Sequence, residues 1–185
     1  DRIVGFDFHR GVLACGVRPS ETPLDDLVQD FARATLLAAC TGVCDQENLG
    51  SVIRNCLALG AGGMLLDPQC ADPYSRRVMR VAAGAALRLP IVETDDLARD
   101  LIWLKSECGF HLVATVLNPD ATPLERAALH APDLLVFGNE GYGVENSILR
   151  ICDDRVTLPM QNGVDSLNVG VASGIFLHHY YRGEG

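Results

Sequence analysis

Lysine is almost missing from this sequence. Of its 15 basic residues only Lys105 is lysine, and 24 acidic residues outweigh them for a formal net charge of −9. Sequence-independent binding to nucleic acid rests on many Lys and Arg contacts that displace counterions, so a protein that coats RNA or DNA is excluded. A local basic cleft is not, and arginine suits bidentate recognition of phosphate; a codon bias toward Arg, Ala and Leu explains the preference equally well. Aromatic residues make up only 6% of the chain, and no basic and aromatic stripe of the kind that stacks single-stranded bases is present. No apolar run reaches the roughly 20 residues a membrane span needs, and residues 1–10 lack the apolar core of a signal peptide. The expectation is a soluble, cytoplasmic protein. The seven cysteines are odd in number and scattered through apolar stretches, as reduced thiols acting as small hydrophobes would be. Only Cys40 and Cys44 lie close together, with no second pair or nearby histidine to complete a zinc set, so no metal is expected.

What is present is enough apolar material for one domain: 185 residues, 48% hydrophobic. Residues 2–8 and 11–17 read as two short strands, and the Pro-rich stretch 19–23 then breaks the chain. The abrupt start, without Met, suggests a fragment preceded by something else. From Leu24 onward the pattern alternates. Strands are expected at 34–39, 63–66, 89–92, 111–117, 133–137 and 155–158. Helices are expected at 24–31, 48–60, 73–83, 95–107, 123–129, 144–149 and 166–181. Near-continuous apolar strands separated by amphipathic helices predict an α/β protein with a parallel sheet covered on both faces. Ligands of such sheets bind at the carboxyl ends of the strands, so the loops after Ala39, Leu66, Leu117, Phe137 and Leu158 are the ones to read for chemistry.

Three of those loops are unusual. After Ala39, Asn48 stands where a helix N-cap belongs, Gly50 lets another backbone approach the first turn, and Arg54 follows six residues after Asn48. Taken alone, this is equally a capped helix with a solvated arginine. After Phe137 come three glycines, Gly138, Gly141 and Gly143, around Asn139 and Glu140, a loop with amides open to a ligand. A dinucleotide fingerprint is only partial there, since Asn146 occupies the place of the third glycine. After Leu158, a polar loop leads to a helix capped by Asp165 or Ser166, with Asn168 in its first turn and the small residues Gly170, Ala172, Ser173 and Gly174 in its body.

These three segments, in this order and spacing over residues 33–181, resemble motifs 1, 2 and 3 of the SpoU (TrmH-like) branch of the SPOUT methyltransferases. Residues 8–14 likewise resemble the end of an N-terminal RNA-binding domain carried by many members. The resemblance implies two regions: residues 1–22 as the residual end of that domain with its linker, and 23–185 as the SpoU catalytic domain. It also implies a sheet whose C-terminal part is threaded into a deep trefoil knot, S-adenosylmethionine as cofactor, RNA (rRNA or tRNA) as substrate, and a homodimer with the site at its interface. Cofactor contacts would come from Leu117, Gly138, Leu158, Met160 and Leu167. Arg54 would be the central catalytic residue, acting on a ribose 2′-hydroxyl, with Asn48, Glu140, Ser166 and Asn168 orienting it and the nucleotide. Free arginine has a pKa above 12, which favours phosphate positioning over proton abstraction.

Two other readings stay open at this point: a homologue that binds RNA but has lost activity, and a nucleotide-dependent oxidoreductase suggested by the glycine-rich loops. No Ser-His-Asp or Cys-His hydrolase arrangement is supported by spacing. His178 and His179 fall in the last helix, His111 at the start of a strand and His130 at the end of a helix, and all read as structural or surface residues. Arg76, Arg77, Arg80 and Arg88 read first as a solvated helix face.

Overall fold

The segment Leu-Leu-Ala-Ala-Cys is apolar at every position, and a strand of that kind is stable only with both faces covered. In the computed structural model, which describes residues 16–19, 24 and 34–181, it forms β1 (Leu36–Cys40), buried throughout. Six further strands join it: β2 (Met64–Leu66), β3 (Ile91–Glu93), β4 (His111–Val116), β5 (Thr122–Pro123), β6 (Asp133–Phe137) and β7 (Asp154–Thr157). The sheet order is β3-β2-β1-β6-β4-β7-β5, with every pairing parallel. The α/β class with a parallel sheet is therefore as expected.

Alternation along β1 divides the interior into two cores. Leu36, Ala38 and Cys40 point to one side, where helices α1 (Gln46–Ala58), α2 (Arg76–Val81) and α5 (Val169–Tyr180) contribute Leu49, Ile53, Val78, Phe176 and Leu177. Leu37 and Ala39 point to the other, against Leu97, Leu101 and Leu104 of α3 (Leu97–Cys108) and Ile148 of α4 (Asn146–Leu149). Each fully buried leucine stabilises such a core by about 1.5–3 kcal/mol. Gly50 does what its position suggested: a Cβ there would lie 2.8 Å from Val81 Cβ and 3.0 Å from the Val78 carbonyl oxygen, so α2 crosses α1 at that residue.

Three local expectations are corrected. Asn48 is not the N-cap of α1; Asp45 is, its Oδ1 accepting from the Glu47 and Asn48 amides at 2.9 Å each. An aspartate upstream satisfies the free amides first, which leaves the Asn48 side chain available elsewhere. Likewise the cap of α5 is neither Asp165 nor Ser166 but Asn168, whose Oδ1 accepts from the Gly170 amide at 2.9 Å, so Ser166 and Leu167 stay in the preceding loop. The helix expected over 123–129 is instead the two-residue β5 followed by a single 3-10 turn, Leu124–Arg126. Leu124 is its only buried large side chain, too little apolar face to hold a helix. His130 accordingly ends no helix. The strands expected at 2–8 and 11–17, the helix at 24–31, the 8–14 segment and Arg182 fall wholly or largely outside the described residues. Arg18, within the expected linker, is described: it pairs with Asp72 at 2.9 Å and with Glu93, its guanidinium 5.2 Å from the centre of the Tyr74 ring. Among the described residues no helix is long and apolar enough to cross a membrane.

Candidate functional site

At the carboxyl end of β6 the chain turns back on itself. Asn139 and Gly143 exchange two backbone hydrogen bonds, at 3.1 and 2.9 Å, with Gly143 in the left-handed region at φ +73°. Gly138 has no room for a side chain, because a Cβ would overlap the Gly143 carbonyl carbon and the Val144 nitrogen. Asn139 holds the turn from within: its Oδ1 accepts from the Gly141 amide at 2.7 Å and the Tyr142 amide at 3.3 Å. Its Nδ2 donates to the Gly42 carbonyl at 2.7 Å, tying the glycine turn to the β1–α1 loop.

That second loop is fixed in turn by Asp67, at the carboxyl end of β2. Its carboxylate accepts from the Thr41 hydroxyl at 2.8 Å, the Gly42 amide at 3.0 Å and the Cys70 amide at 3.0 Å. A carboxylate this well supplied with donors is a rigid post, and the sequence reading passed over it. The available signal was its position, an acid directly following an apolar strand.

Three residues from the three unusual loops meet beside the turn. Asn48 Nδ2 donates to Glu140 Oε1 at 2.5 Å, and Asn168 Nδ2 donates to Asn48 Oδ1 at 2.7 Å. Since Asn168 also caps α5, one chain of contacts runs from the glycine turn through the first turn of α1 to the start of α5. Lower down, Asn55 repeats the link, donating to the Gly170 carbonyl at 2.7 Å. Gly170 is needed for this approach, because a Cβ there would lie 2.7 Å from Ser51 Cβ.

Beside this cluster opens a cleft of about 640 Å³, of a size suited to a small-molecule ligand. Leu117, Gly138, Leu158, Met160 and Leu167 all line it, as do Glu140, Ser166 and Asn168; Phe137, Ala172 and Phe176 are among its apolar walls. Leu117 and Leu167 are left 61% and 40% exposed, apolar surface with nothing covering it. Asn48 adjoins the cleft through its partners. Arg54 does not line it: it lies exposed on α1, about two turns past Asn48, with no hydrogen bond or ion pair among the described residues. Thr115, Tyr142 and Arg155 also line the cleft and were not anticipated; Tyr142 belongs to the glycine turn itself, while Thr115 and Arg155 arrive because the sheet places β4 beside β6 and β7 beside β4. Tyr142 is held by donating its hydroxyl to Gln69 Oε1 at 3.2 Å.

None of the described cysteines lines the cleft. Burial pushes the Cys56 thiol up to about 12, keeping it protonated at neutral pH, and the six described cysteines are all free thiols.

A parallel α/β sheet with a ligand-sized cleft at its carboxyl ends, walled by a glycine turn and an Asn-Glu-Asn cluster, defines a class of small-molecule-binding α/β domain. Residues 35–178 match the SpoU rRNA methylase family, and the chain belongs to it. It is 39% identical over 184 residues to an uncharacterised tRNA/rRNA methyltransferase of Mycobacterium bovis, covering 98% of this chain and 62% of that protein. A 23S rRNA (guanosine-2′-O-)-methyltransferase, RlmB, of Acinetobacter baylyi is 32% identical, covering 98% of this chain and 74% of that one. Among solved structures, the SpoU methyltransferase AviRb of Streptomyces viridochromogenes in complex with the cofactor AdoMet superposes with a TM-score of 0.75 at 27% identity, over 87% of this chain and 65% of that chain. This chain thus spans about three-fifths of the length of its mycobacterial relative.

Proposed function

We propose that this chain transfers a methyl group from S-adenosylmethionine to a ribose 2′-hydroxyl in structured RNA, rRNA or tRNA, as a cytoplasmic 2′-O-ribose methyltransferase. The observation that carries this reading is the Glu140–Asn48–Asn168 chain at the edge of the cleft, where three loops far apart in sequence are tied together. The cleft fits the cofactor by its chemistry. A purine ring needs flat apolar walls, which Leu117, Leu158 and Leu167 offer. The polar ends need backbone groups, which the turn at Gly138 and the loop at Met160 offer. When bound, S-adenosylmethionine supplies an electrophilic methyl group.

A neutral hydroxyl is a poor nucleophile, so the chain must align it and help remove its proton. Arg54, with its planar guanidinium and fork of donors, is suited to gripping the RNA phosphate next to the reacting ribose. Glu140, Asn48, Ser166 and Asn168 would orient that nucleotide. Because Arg54 lies outside the cleft of its own chain, the reading extends to a homodimer. Leu167, Val171 and Ile175 form an exposed apolar stripe four residues apart beside the cleft, 40%, 54% and 40% exposed. A second copy covering that stripe would wall the open side of the cleft. Family membership supports two further parts of the reading: a trefoil knot formed by the 158–168 segment and α5, and residues 1–22 as the end of an RNA-binding domain ahead of a catalytic domain over 23–185.

Equilibrium binding separates this from the oxidoreductase reading. S-adenosylmethionine should bind and NAD should not; the reverse would sink the proposal. Arg54→Ala should then keep cofactor affinity and lose methyl transfer, and wild-type transfer by that variant would remove Arg54 from its role. Cofactor binding without transfer to any RNA by the wild-type full-length protein would mark an inactive RNA-binding homologue instead.

A further inference from the structure

At the opposite end of the sheet lies a group of side chains the reaction does not use. β4, β6 and β7 begin there with His111, Asp133 and Asp154. His130, on the loop entering β6, stacks on His111 with ring centroids 3.7 Å apart and planes 27° from parallel. His111 Nε2 lies 2.9 Å from Asp154 Oδ2. One ligand atom from each of His111, His130 and Asp154 falls within 4.8 Å of the others.

The carboxylates around these rings are arranged in a telling way. His111 Nδ1 faces Asp153 Oδ2 at 3.8 Å, and His130 Nδ1 faces Asp133 Oδ1 at 3.6 Å. Each imidazole thus has an acid on its Nδ1 side, near the place where a carboxylate behind a metal-bound histidine would stand, though beyond hydrogen-bond distance here. Asp133 is itself anchored, nearly buried, its Oδ2 accepting from the His130 amide at 2.9 Å. Asp153 is anchored by Lys105 at 2.5 Å and by the Leu112 amide at 3.0 Å. Two stacked imidazoles repel each other when both are protonated, whereas a divalent cation satisfies both lone pairs and the carboxylate together.

We propose that His111, His130 and Asp154 form a binding site for one divalent transition-metal ion, at the end of the sheet remote from the cleft. Imidazole with carboxylate is a donor set suited to zinc, cobalt or nickel rather than to magnesium or calcium. Metal–ligand bonds of about 2.0–2.1 Å in a tetrahedron separate ligand atoms by about 3.3 Å. The His111–Asp154 pair must open by a few tenths of an ångström and His130 must draw in. His130 has the freedom to do so, since its side chain is 44% exposed and stands on a loop, while His111 and Asp154 are held by paired strands. A water would complete the coordination. The bound ion would clamp β4, β7 and the entry to β6 together, a structural role independent of methyl transfer.

Cobalt(II) titration of the full-length protein, followed by visible absorption, tests this directly. One equivalent should bind with the d–d bands of nitrogen and oxygen ligands and without a thiolate charge-transfer band, and zinc should displace it. His130→Ala, at an exposed loop position, and Asp154→Asn should each weaken binding at least tenfold, as judged also by loss of a zinc-dependent rise in Tm. Cys44→Ser, which removes an exposed thiol, should bind as wild type. No binding, a thiolate-type spectrum, or unchanged affinity in both the His130 and Asp154 variants would overturn the site.

Discussion

The two ends of the sheet are built from different chemistry. At the carboxyl ends of β1 and β6, and at the start of α5, the chain places mainly glycine and asparagine: Gly42, Gly138, Asn48, Asn139 and Asn168, joined by directional amide hydrogen bonds and pinned by the carboxylates of Asp67 and Glu140. At the amino ends of β4, β6 and β7 it places His111, His130, Asp133, Asp153 and Asp154, with Lys105 reaching in from α3. The first end leaves a cleft open between its loops. The second draws its strands together. A reacting surface needs donors and acceptors already in position, and amides supply these without changing charge near neutral pH; the other end is built mainly from ionisable side chains.

The strongest challenge to this contrast is at the cleft end. Arg54→Ala should lower methyl transfer roughly 10²- to 10⁴-fold if it assists removal of the hydroxyl proton through the RNA phosphate, with cofactor affinity unchanged. Next, Gly138→Val should cost about 1–3 kcal/mol of stability by forcing the turn open against Gly143 and Val144, and should abolish cofactor binding. Retained affinity would show that the turn does not shape the cleft. Asn168→Ala removes a helix cap and the partner of Asn48 together; it should cost about 1 kcal/mol and slow transfer less than Arg54→Ala does.

Smaller effects sharpen the contrast from the other side. His130→Ala should leave S-adenosylmethionine affinity within experimental error of wild type, because His130 sits at the amino ends of the strands and does not line the cleft; a tenfold change would join the two ends. The smallest effect concerns the core between them. Burial holds the Cys56 and Cys152 thiols near 12, above the ~8.5 of an unfolded chain. Their contribution to stability is present below about pH 8.5 and lost as pH rises from there toward 12. A thiol reagent at pH 8 should therefore modify exposed Cys44 first and reach Cys56 only on unfolding.

Most of the sheet was legible because strands such as β1, β2 and β6 are short apolar runs, and β6 appears at the residues its run predicts, whereas the two-residue β5 carries no such run. The five residues expected at the cofactor came from the resemblance to the SpoU family rather than from spacing, and the fold brings all five to the lining of one cleft. The caps were misread for a local reason: Asp45 and Asn168 stand three and two residues from Asn48 and Ser166, all four are cap-forming residue types, and propensity alone does not rank neighbouring candidates. Asp67 and Tyr142 lay at readable positions, after an apolar strand and inside the glycine loop, but Arg155 could not be found from spacing, since its place depends on which strands become neighbours. The pairing of His111 with His130, 19 residues apart in sequence, is of the same kind.

The most direct test of the central claim is a transfer assay with methyl-labelled S-adenosylmethionine, the full-length protein and rRNA and tRNA from cells lacking it, followed by digestion to nucleosides and mass spectrometry. Label should appear in a 2′-O-methylnucleoside, at a site also unmethylated in those cells. Label only in base-methylated nucleosides, or none in any RNA despite cofactor binding, would contradict the assignment.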